Sequence, residues 1–318
     1  MARKKSNKLI GAFQIFFSSI KTYFLYLDQC AKHLAFPIFG QIIGIILIFV
    51  ATYFFIINID NVKGINPFFE NEKNLLISFF VIIAPLFLIF LKAFFDYIIA
   101  FSSLNLLFYT VSNKTKVKNI DFTANKNVIK RKLPNYILLV LITTILLITP
   151  PLLFIAPIIW IFLCLSFQVF ALEGDISAPK AIARSIELVK GNVLSTIALL
   201  LLCGFATYIF LPNLFLWTFE KISLTTFFVT KFETFFTLLP LEEINQFLST
   251  VKLSTNQTEL GVRAYEAMVS FFITGFTLPF RCCCFTELYK LFDADKIKEN
   301  SKQTDEIISR ATGKKRKN

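Results

Sequence analysis

The residues that could do chemistry in this chain are few, and their types argue against a catalytic or metal site. There is a single histidine, His33, which stands at the edge of an apolar stretch. One imidazole excludes a multi-histidine metal site and any catalytic triad that contains histidine. The sequence also lacks a glycine-rich phosphate loop and an HExxH pattern. We therefore predict a protein with no cofactor and no conventional catalytic constellation.

The six cysteines all lie within or beside apolar segments, at Cys30, Cys164, Cys203, Cys282, Cys283 and Cys284. Consecutive residues of a helix point in different directions, so the run of three cannot gather on one metal ion. Disulfides are also disfavoured on the cytoplasmic side of a membrane. We interpret the cysteines as small buried thiols that pack between helices.

Two charged residues, Lys92 and Asp96, interrupt an otherwise long apolar run. They are four residues apart on one helix face, where they could neutralise each other or line a polar cavity. Counted from Asn74 at 1.5 Å per residue, Lys92 lies about 27 Å along the helix, near the inner interface. The sequence favours an interfacial role and leaves a role in a polar path open.

The segment GDISAPKAIARSIELVKGN, residues 174–192, is the most specific stretch of the chain. Ser177 is suited to a helix N-cap, Pro179 to the first turn and Gly191 to the end of the helix. One predicted face holds Ile182, Ser185, Ile186 and Val189. The opposite face holds Lys180, Arg184 and Glu187.

The elements that must position these residues are apolar helices. Hydrophobic residues make up 55% of the 318 residues and charged residues only 17%, which is far too apolar for a soluble domain. Six apolar stretches are long enough, or nearly so, to cross a bilayer core of about 30 Å. They are residues 35–57, 75–110, 135–149, 152–171, 193–218 and 264–289. The third and fourth are short and are joined by Pro150-Pro151, which predicts a tight hairpin.

The charges between the apolar stretches alternate along the chain. Lys and Arg are concentrated in residues 1–34, 114–132, 180–190 and 314–317, whereas residues 58–74 and 219–263 hold slightly more acidic than basic residues. Because Lys and Arg stay on the cytoplasmic side during insertion, we predict cytoplasmic termini and external connections at 58–74, 150–151 and 219–263. The net charge of +12 then indicates contact with anionic lipids rather than with nucleic acid.

Three cytoplasmic segments have the pattern of amphipathic interfacial helices, within residues 1–34 and at 121–133 and 177–190. Each precedes an apolar hairpin, which suggests a threefold repeat of topology without a repeated residue pattern. The predicted fold is therefore all-α and polytopic, with six transmembrane helices and cytoplasmic interfacial helices. We predict a cytoplasmic segment 1–34, a membrane domain 35–290 and a charged, disordered tail 291–318.

Several residues of segment 174–192 and of the last apolar stretch resemble a known pattern. The matching residues are Glu173, Gly174, Ala181, Arg184, Ser185, Leu188, Gly191 and Asn192, followed by Tyr289 in TELYKLFDADK. This pattern resembles bacterial multi-pass proteins related to the membrane domain of glycerophosphoryl diester phosphodiesterases. The final motif departs from the family, because its usual basic residue comes only at Lys296.

The resemblance implies a six-helix module of the bacterial inner membrane. The catalytic domain of the fused relatives is not implied, because only about 28 residues follow the last apolar stretch. We predict a non-enzymatic membrane module that binds anionic lipids, a membrane-protein partner or a second copy of itself. The alternative is a transporter or lipid-handling permease with a polar path at the cytoplasmic mouth. The residues on which both hypotheses depend are Lys92, Asp96, Glu173, Arg184, Ser185, Gly191 and Asn192.

Overall fold

The computed structural model describes residues 2–58, 64, 66–113, 122–237, 241–242, 245, 249 and 254–311. These residues are almost entirely helical and contain no β-strand. The helices are α1 (Ala2–Leu25), α2 (Leu27–Ile57), α3 (Glu72–Asn113), α4 (Phe122–Arg131), α5 (Leu133–Ile148), α6 (Ala156–Leu163), α7 (Ser166–Leu172), α8 (Ala178–Lys190), α9 (Val193–Gly204), α10 (Leu211–Lys221), α11 (Leu224–Phe236), α12 (Gln257–Phe276) and α13 (Leu278–Ala311).

Three helical stretches are long and apolar enough to cross a membrane, namely Leu27–Thr52, Lys73–Val111 and Val193–Lys221. The number rises to five, within the described residues, if each of two broken pairs is one span. These pairs are Asn125–Arg131 with Leu133–Ile148, and Gln257–Phe276 with Leu278–Lys296. The protein is therefore an all-α protein with several helices suited to a membrane, as the composition predicts.

The six predicted apolar stretches are all helical, but two of them are interrupted. The fourth stretch breaks between α6 and α7, so Ala156–Leu172 is only a short apolar helix. The sixth breaks at Thr277, between α12 and α13. Pro279 lies two residues after this break, and its missing backbone N–H removes one hydrogen bond that would otherwise join the two helices. A short 3₁₀ turn over Pro150–Leu152 follows α5, where the sequence predicts a tight hairpin.

The chain divides into two compact units, the first comprising residues 1–197 and 279–318. In this unit α2 and α3 pack along each other, and their apolar residues remain largely exposed around Phe80, Val81 and Leu88. The second half of α3 differs, because Ile99, Ala100 and most residues from 102 to 108 are buried, whereas Tyr109 is 36% exposed. Residues 99–108 therefore continue the same helix into the interior of the unit.

The beginning of α13 is surrounded by protein on nearly all sides. Cys282, Cys283 and Cys284 point in three directions and are all at most 2% exposed. Phe280 of the same turn makes edge-to-face contact with Phe16 of α1, with ring centroids 5.4 Å apart. All six cysteines are buried, as the sequence predicts. This part of α13 is a central helix of the first unit.

The three predicted interfacial segments correspond to α1, α4 and α8, each of which precedes an apolar helix. The chain bends by 77° between α4 and α5, at Lys132. In α1 the predicted apolar face is divided. Phe16 packs inward, whereas Phe13 and Phe17 are 47% and 64% exposed. The predicted tail 291–318 is helical as far as Ala311, and the residues beyond lie outside the description.

The second unit comprises residues 198–278. A π-helical segment, Phe205–Phe210, joins α9 to α10, and α11 packs against α12. The two helices approach closely at Gly261, where a Cβ atom would lie 3.2 Å from the carbonyl oxygen of Val229. Tyr265 of α12 is buried, and its ring stacks on that of Phe228. The phenylalanine-rich part of the predicted outer segment 219–263 is thus helical.

Candidate functional site

The site with the greatest concentration of charge is centred on Arg184 of α8. Its guanidinium group donates hydrogen bonds to three carboxylates, those of Glu173 at 3.3 Å, Glu187 at 3.0 Å and Asp293 at 2.8 Å. The side chains of Arg184, Glu173 and Asp293 are only 27–29% exposed. Arginine suits this position because its planar fork of donors remains charged at any physiological pH.

Glu173 is the C-terminal cap residue of α7, where the chain becomes extended. Its Oε1 atom accepts hydrogen bonds from Arg184 and from the hydroxyl of Tyr289, the latter at 3.1 Å. Its backbone carbonyl accepts a bond from Nζ of Lys132 at 3.3 Å, and Lys132 also donates to the carbonyl of Gly174. Lys132 lies at the bend between α4 and α5, so this cation ties the bend to the end of α7.

The residues of α13 that reach the site follow helical spacing. Tyr289, Asp293 and Lys296 are separated by four and three residues and therefore lie on one face of the helix. Lys296 donates to Glu187 of α8. Lys296 comes seven residues after Tyr289 and lies on the same face of the helix, because seven residues are close to two helical turns.

The charges of this cluster balance one another. Lys132, Arg184 and Lys296 supply three positive charges, and Glu173, Glu187 and Asp293 supply three negative ones. We define these six residues together with Tyr289 as the Arg184 cluster. Its hydrogen bonds join the bend at Lys132, the end of α7, helix α8 and helix α13. Chemically, the arrangement holds helices together, and the guanidinium group is already occupied by carboxylates of the protein.

The cluster predicts a pH dependence of stability. Hydrogen bonds from Lys296, and then from Arg184, lower the pKa of Glu187. A carboxylate with a lowered pKa stabilises the folded state above its unfolded pKa of about 4.3, and this contribution is lost as the pH falls through the folded pKa. We expect the apparent Tm of the purified protein to decrease below about pH 4.3, as followed by thermal unfolding in detergent.

The matched control for this experiment is Glu187→Gln, which removes the titrating group and should flatten the corresponding part of the pH profile. The expected change is small, because the Glu187 side chain is 55% exposed and water weakens its ion pairs. An identical acid profile for Glu187→Gln and the unaltered protein would contradict the assignment.

Ser185 lies on the buried face of α8 and donates to the carbonyl of Phe162 at 2.7 Å. This bond satisfies a carbonyl close to the break between α6 and α7. The predicted apolar face of α8 is partly wrong, because Ile186 is 39% exposed. The buried face is instead formed by Ala178, Ala181, Ser185, Leu188 and Val189. Small side chains allow α8 to approach its neighbours closely on this side.

Gly191 and Asn192 connect α8 to α9. The helix ends at Lys190 with Gly191 as its cap residue, as the sequence predicts. The side-chain amide of Asn192 donates to the carbonyl of Leu188 at 3.2 Å, and its own carbonyl accepts from the backbone N–H of Thr196. Asn192 thus serves the end of one helix and the beginning of the next.

Lys92 and Asp96 do not join the Arg184 cluster and, within the described part of the chain, form no ion pair with each other. The Lys92 ammonium lies 5.7 Å from the centre of the Phe36 ring on α2. Lys92 is exposed and Asp96 partly so. Cation–π contact with an exposed ring fits a side chain that extends along the surface of α3.

One polar pair was missed by sequence reasoning. Asn105 of α3 accepts a hydrogen bond from Gln168 of α7 at 3.5 Å, and both side chains are at most 1% exposed. The Nδ2 atom of Asn105 and the Oε1 atom of Gln168 have no partner among the described residues. Asn105 and Gln168 are isolated polar residues in apolar stretches of the sequence, and this feature could have identified them as a buried polar pair.

The geometry also bears on the family resemblance. Glu173, Arg184 and Tyr289, which the resemblance selects from distant parts of the sequence, are in contact in the structure. Comparison of the chain with protein-family models, with curated proteins and with solved structures found no match. The resemblance to the phosphodiesterase membrane domain therefore stays a prediction.

Proposed function

We propose that the protein is a six-span protein of the bacterial inner membrane with both termini in the cytoplasm. The proposal is supported by the three long apolar spans, the two broken spans and the short apolar helix Ala156–Leu172. It is also supported by the alternation of charge, which favours a cytoplasmic position for α1, α4 and α8. In this topology the Arg184 cluster lies on the cytoplasmic side.

On that side, the protein acts as a non-catalytic module that binds anionic lipids and organises a membrane-protein partner or a second copy of itself. The observation that carries this proposal is the composition of α1 together with the exposure of its described phenylalanines. Its sequence contains Arg3, Lys4, Lys5, Lys8 and Lys21 and no acidic residue, while Phe13, Phe17 and Phe24 are strongly exposed. Exposed phenylalanines beside basic residues are typical of a helix that lies in the head-group region.

Helix α4 supports the same interpretation. It carries Lys126, Lys130 and Arg131 with no acidic residue, and it meets α5 at 77°. If α5 crosses the membrane, a helix at this angle lies close to the membrane plane. The cations of α4 are then placed among lipid phosphates, where each contributes about 1 kcal/mol to binding of an anionic surface.

The test is the lipid content of the protein after purification in mild detergent. We expect anionic lipids to be enriched over their share of the membrane, as measured by lipidomic mass spectrometry. The triple variant Lys126→Gln, Lys130→Gln, Arg131→Gln should reduce this enrichment several-fold. A matched variant, Lys63→Gln, Lys73→Gln, Lys231→Gln, removes three cations from the predicted external segments 58–74 and 219–263 and should leave the enrichment unchanged.

Equal loss of anionic lipid in both triple variants would contradict the proposed surface. Proteins that co-purify with the unaltered chain are identified in the same sample, and they define the partner or show self-association.

A separate experiment tests the topology. Single cysteines are introduced near the termini and at residue 64 and are labelled from outside the cell. We expect labelling only at residue 64.

A permease is the second candidate, and the buried pair of Asn105 and Gln168 is the observation that favours it. Unpaired amide atoms inside a bundle of apolar helices are costly and often mark a polar path. The test is transport by the protein reconstituted alone. If the protein moves a solute or a lipid, and if Asp96→Asn or Arg184→Ala abolishes this movement, the protein is a permease and the non-transporting proposal is wrong.

A further inference from the structure

A cavity of about 310 Å³ opens in the second unit between α10, the start of α11 and α12. This volume is at the lower end of the range typical of small-molecule sites. The side chains that define its chemistry are those of Asn213, Trp217, Glu220, Thr225, Tyr265 and Glu266. None of these residues takes part in the Arg184 cluster, so the cavity is a separate candidate site.

The charged residues that line the cavity are acidic. Two of its lining residues, Glu220 and Glu266, are acidic, and no Lys or Arg lines it. Glu220 forms no ion pair with any described residue. Glu266 is bound on one side by Arg263, at 3.0 Å, and this exposed pair is a weak one. Two cations of the protein flank this lining, Arg263 at Glu266 and Lys221 at Trp217, so a ligand cation binds the carboxylates in competition with them.

The aromatic walls restrict the kind of cation. Tyr265 is 2% exposed and is held in place by stacking on Phe228 and by a hydrogen bond of 3.1 Å with Thr225. Trp217 is 57% exposed, and the ammonium of Lys221 lies 5.9 Å from the centre of its indole ring. The Lys221 ammonium thus makes a cation–π contact with Trp217, which shows that the indole face is accessible to a positively charged nitrogen.

We propose that this cavity binds a small organic cation, a primary or quaternary ammonium group. An indole face next to a carboxylate suits a weakly hydrated ammonium, whereas divalent metal ions need several oxygen ligands. The described residues contain no group of three or more His, Cys, Asp or Glu side chains that could hold a metal ion. The ammonium group belongs either to a lipid head group or to a free amine in solution.

This inference extends the proposed function to the second unit, and its test does not depend on the membrane topology. The chain has two tryptophans, so the variant Trp160→Phe leaves Trp217 as the only indole. Its fluorescence is followed in detergent-solubilised full-length protein during titration with choline chloride or ethanolamine. Sodium chloride at equal ionic strength is the reference. We expect a saturable change in Trp217 emission with the organic cations alone.

Variants in this background distinguish a site from a general charge effect. Glu220→Gln should weaken binding about fivefold or more, since it removes a carboxylate next to the cation. Glu259→Gln, which removes a carboxylate two turns earlier on α12, should have no effect. Lys221→Gln should tighten binding, because the ammonium of the protein then no longer competes for the indole face.

The source of the ammonium group is identified by a second arm in lipid nanodiscs. Phosphatidylethanolamine replaces phosphatidylglycerol in these nanodiscs. If Trp217 emission then changes, and soluble amines give no response, the ammonium group belongs to a lipid head group. A response to soluble choline or ethanolamine identifies a free amine. The proposal is overturned if neither arm gives a saturable response, or if Glu259→Gln weakens binding as much as Glu220→Gln does.

Discussion

Replacing Arg184 with methionine is expected to destabilise the first unit by about 2–3 kcal/mol, the largest effect of any single charge among the described residues. The substitution leaves the carboxylates of Glu173 and Asp293 close together, about 28% exposed and without their shared guanidinium group. Partly buried carboxylates that lose their partner keep their desolvation cost and repel each other. The measurement is the apparent Tm of the purified protein in detergent, which should fall by several degrees.

Arg263→Met is the matched control for this substitution. Arg263 also donates to a carboxylate at 3.0 Å, that of Glu266, but its side chain is 71% exposed and has this one acidic partner. Exposed pairs of this kind contribute about 1 kcal/mol or less. Arg184→Lys should restore only part of the loss, because an ammonium group cannot imitate the fork of donors. Equal shifts for Arg184→Met and Arg263→Met would show that the Arg184 cluster does not hold the helices together.

Replacing Gly44 with leucine is expected to separate α2 from α3, at a cost of at least about 3 kcal/mol. A Cβ atom at Gly44 would lie 2.8 Å from Cβ and 2.9 Å from Cα of Phe90. Because these atoms belong to the backbone and Cβ of α3, no side-chain rotation relieves the clash and the two helices have to move apart. Gly40, one turn earlier, approaches Ala93 equally closely, so the two glycines form the small-xxx-small pattern by which membrane helices meet.

The measurements are the expression level, the monodispersity in detergent and the apparent Tm of Gly44→Leu. Gly204→Leu is the control, because a Cβ atom there meets no other atom within 4 Å. Gly44→Ala should be intermediate, since the clash is partly offset by the better helix propensity of alanine, worth about 1 kcal/mol. If Gly44→Leu and Gly204→Leu are equally stable, the close approach of α2 and α3 is not needed for the fold.

These two predictions concern different kinds of contact, and both kinds are relevant to function. Glycines bring α2 and α3 together through backbone packing, whereas the Arg184 cluster joins α8 to α13 through charge. In the proposed topology, the ions of this cluster lie on the same side as the basic helices α1 and α4. A ligand or partner that binds there would meet helices that are already tied to one another.

Much of the architecture could be predicted from residue type and order. Apolar stretches of about 20 residues without charges have no stable alternative to the helix in an apolar environment, because each backbone polar group must be satisfied within the segment. The bounds of α3 and α8 follow closely from the apolar runs and from Pro179 and Gly191, whereas α2 begins at Leu27, before the predicted stretch 35–57. The helices before each apolar hairpin are likewise visible as amphipathic patterns.

The breaks could be predicted less well. Pro150-Pro151 marks a turn in the sequence, and a turn is found there. Pro279 gives an equally local reason for a break at Thr277, yet the apolar residues around it favour one continuous span. The interruption between α6 and α7 has no proline or glycine at Cys164-Leu165. Local sequence therefore gives no reason for that break, beside which Ser185 of α8 donates to the carbonyl of Phe162.

By itself, the sequence determined that the chain is helical, apolar and asymmetric in charge, because these properties depend on residue type and on spacing along one segment. Only the tertiary structure decided which distant residues meet. Arg184 binds Asp293 across 109 residues of sequence, Asn105 binds Gln168, and Trp217 shares a cavity with Glu266. Such contacts depend on the rotation and close packing of whole helices, and a segment read alone carries no information about the helix that will face it.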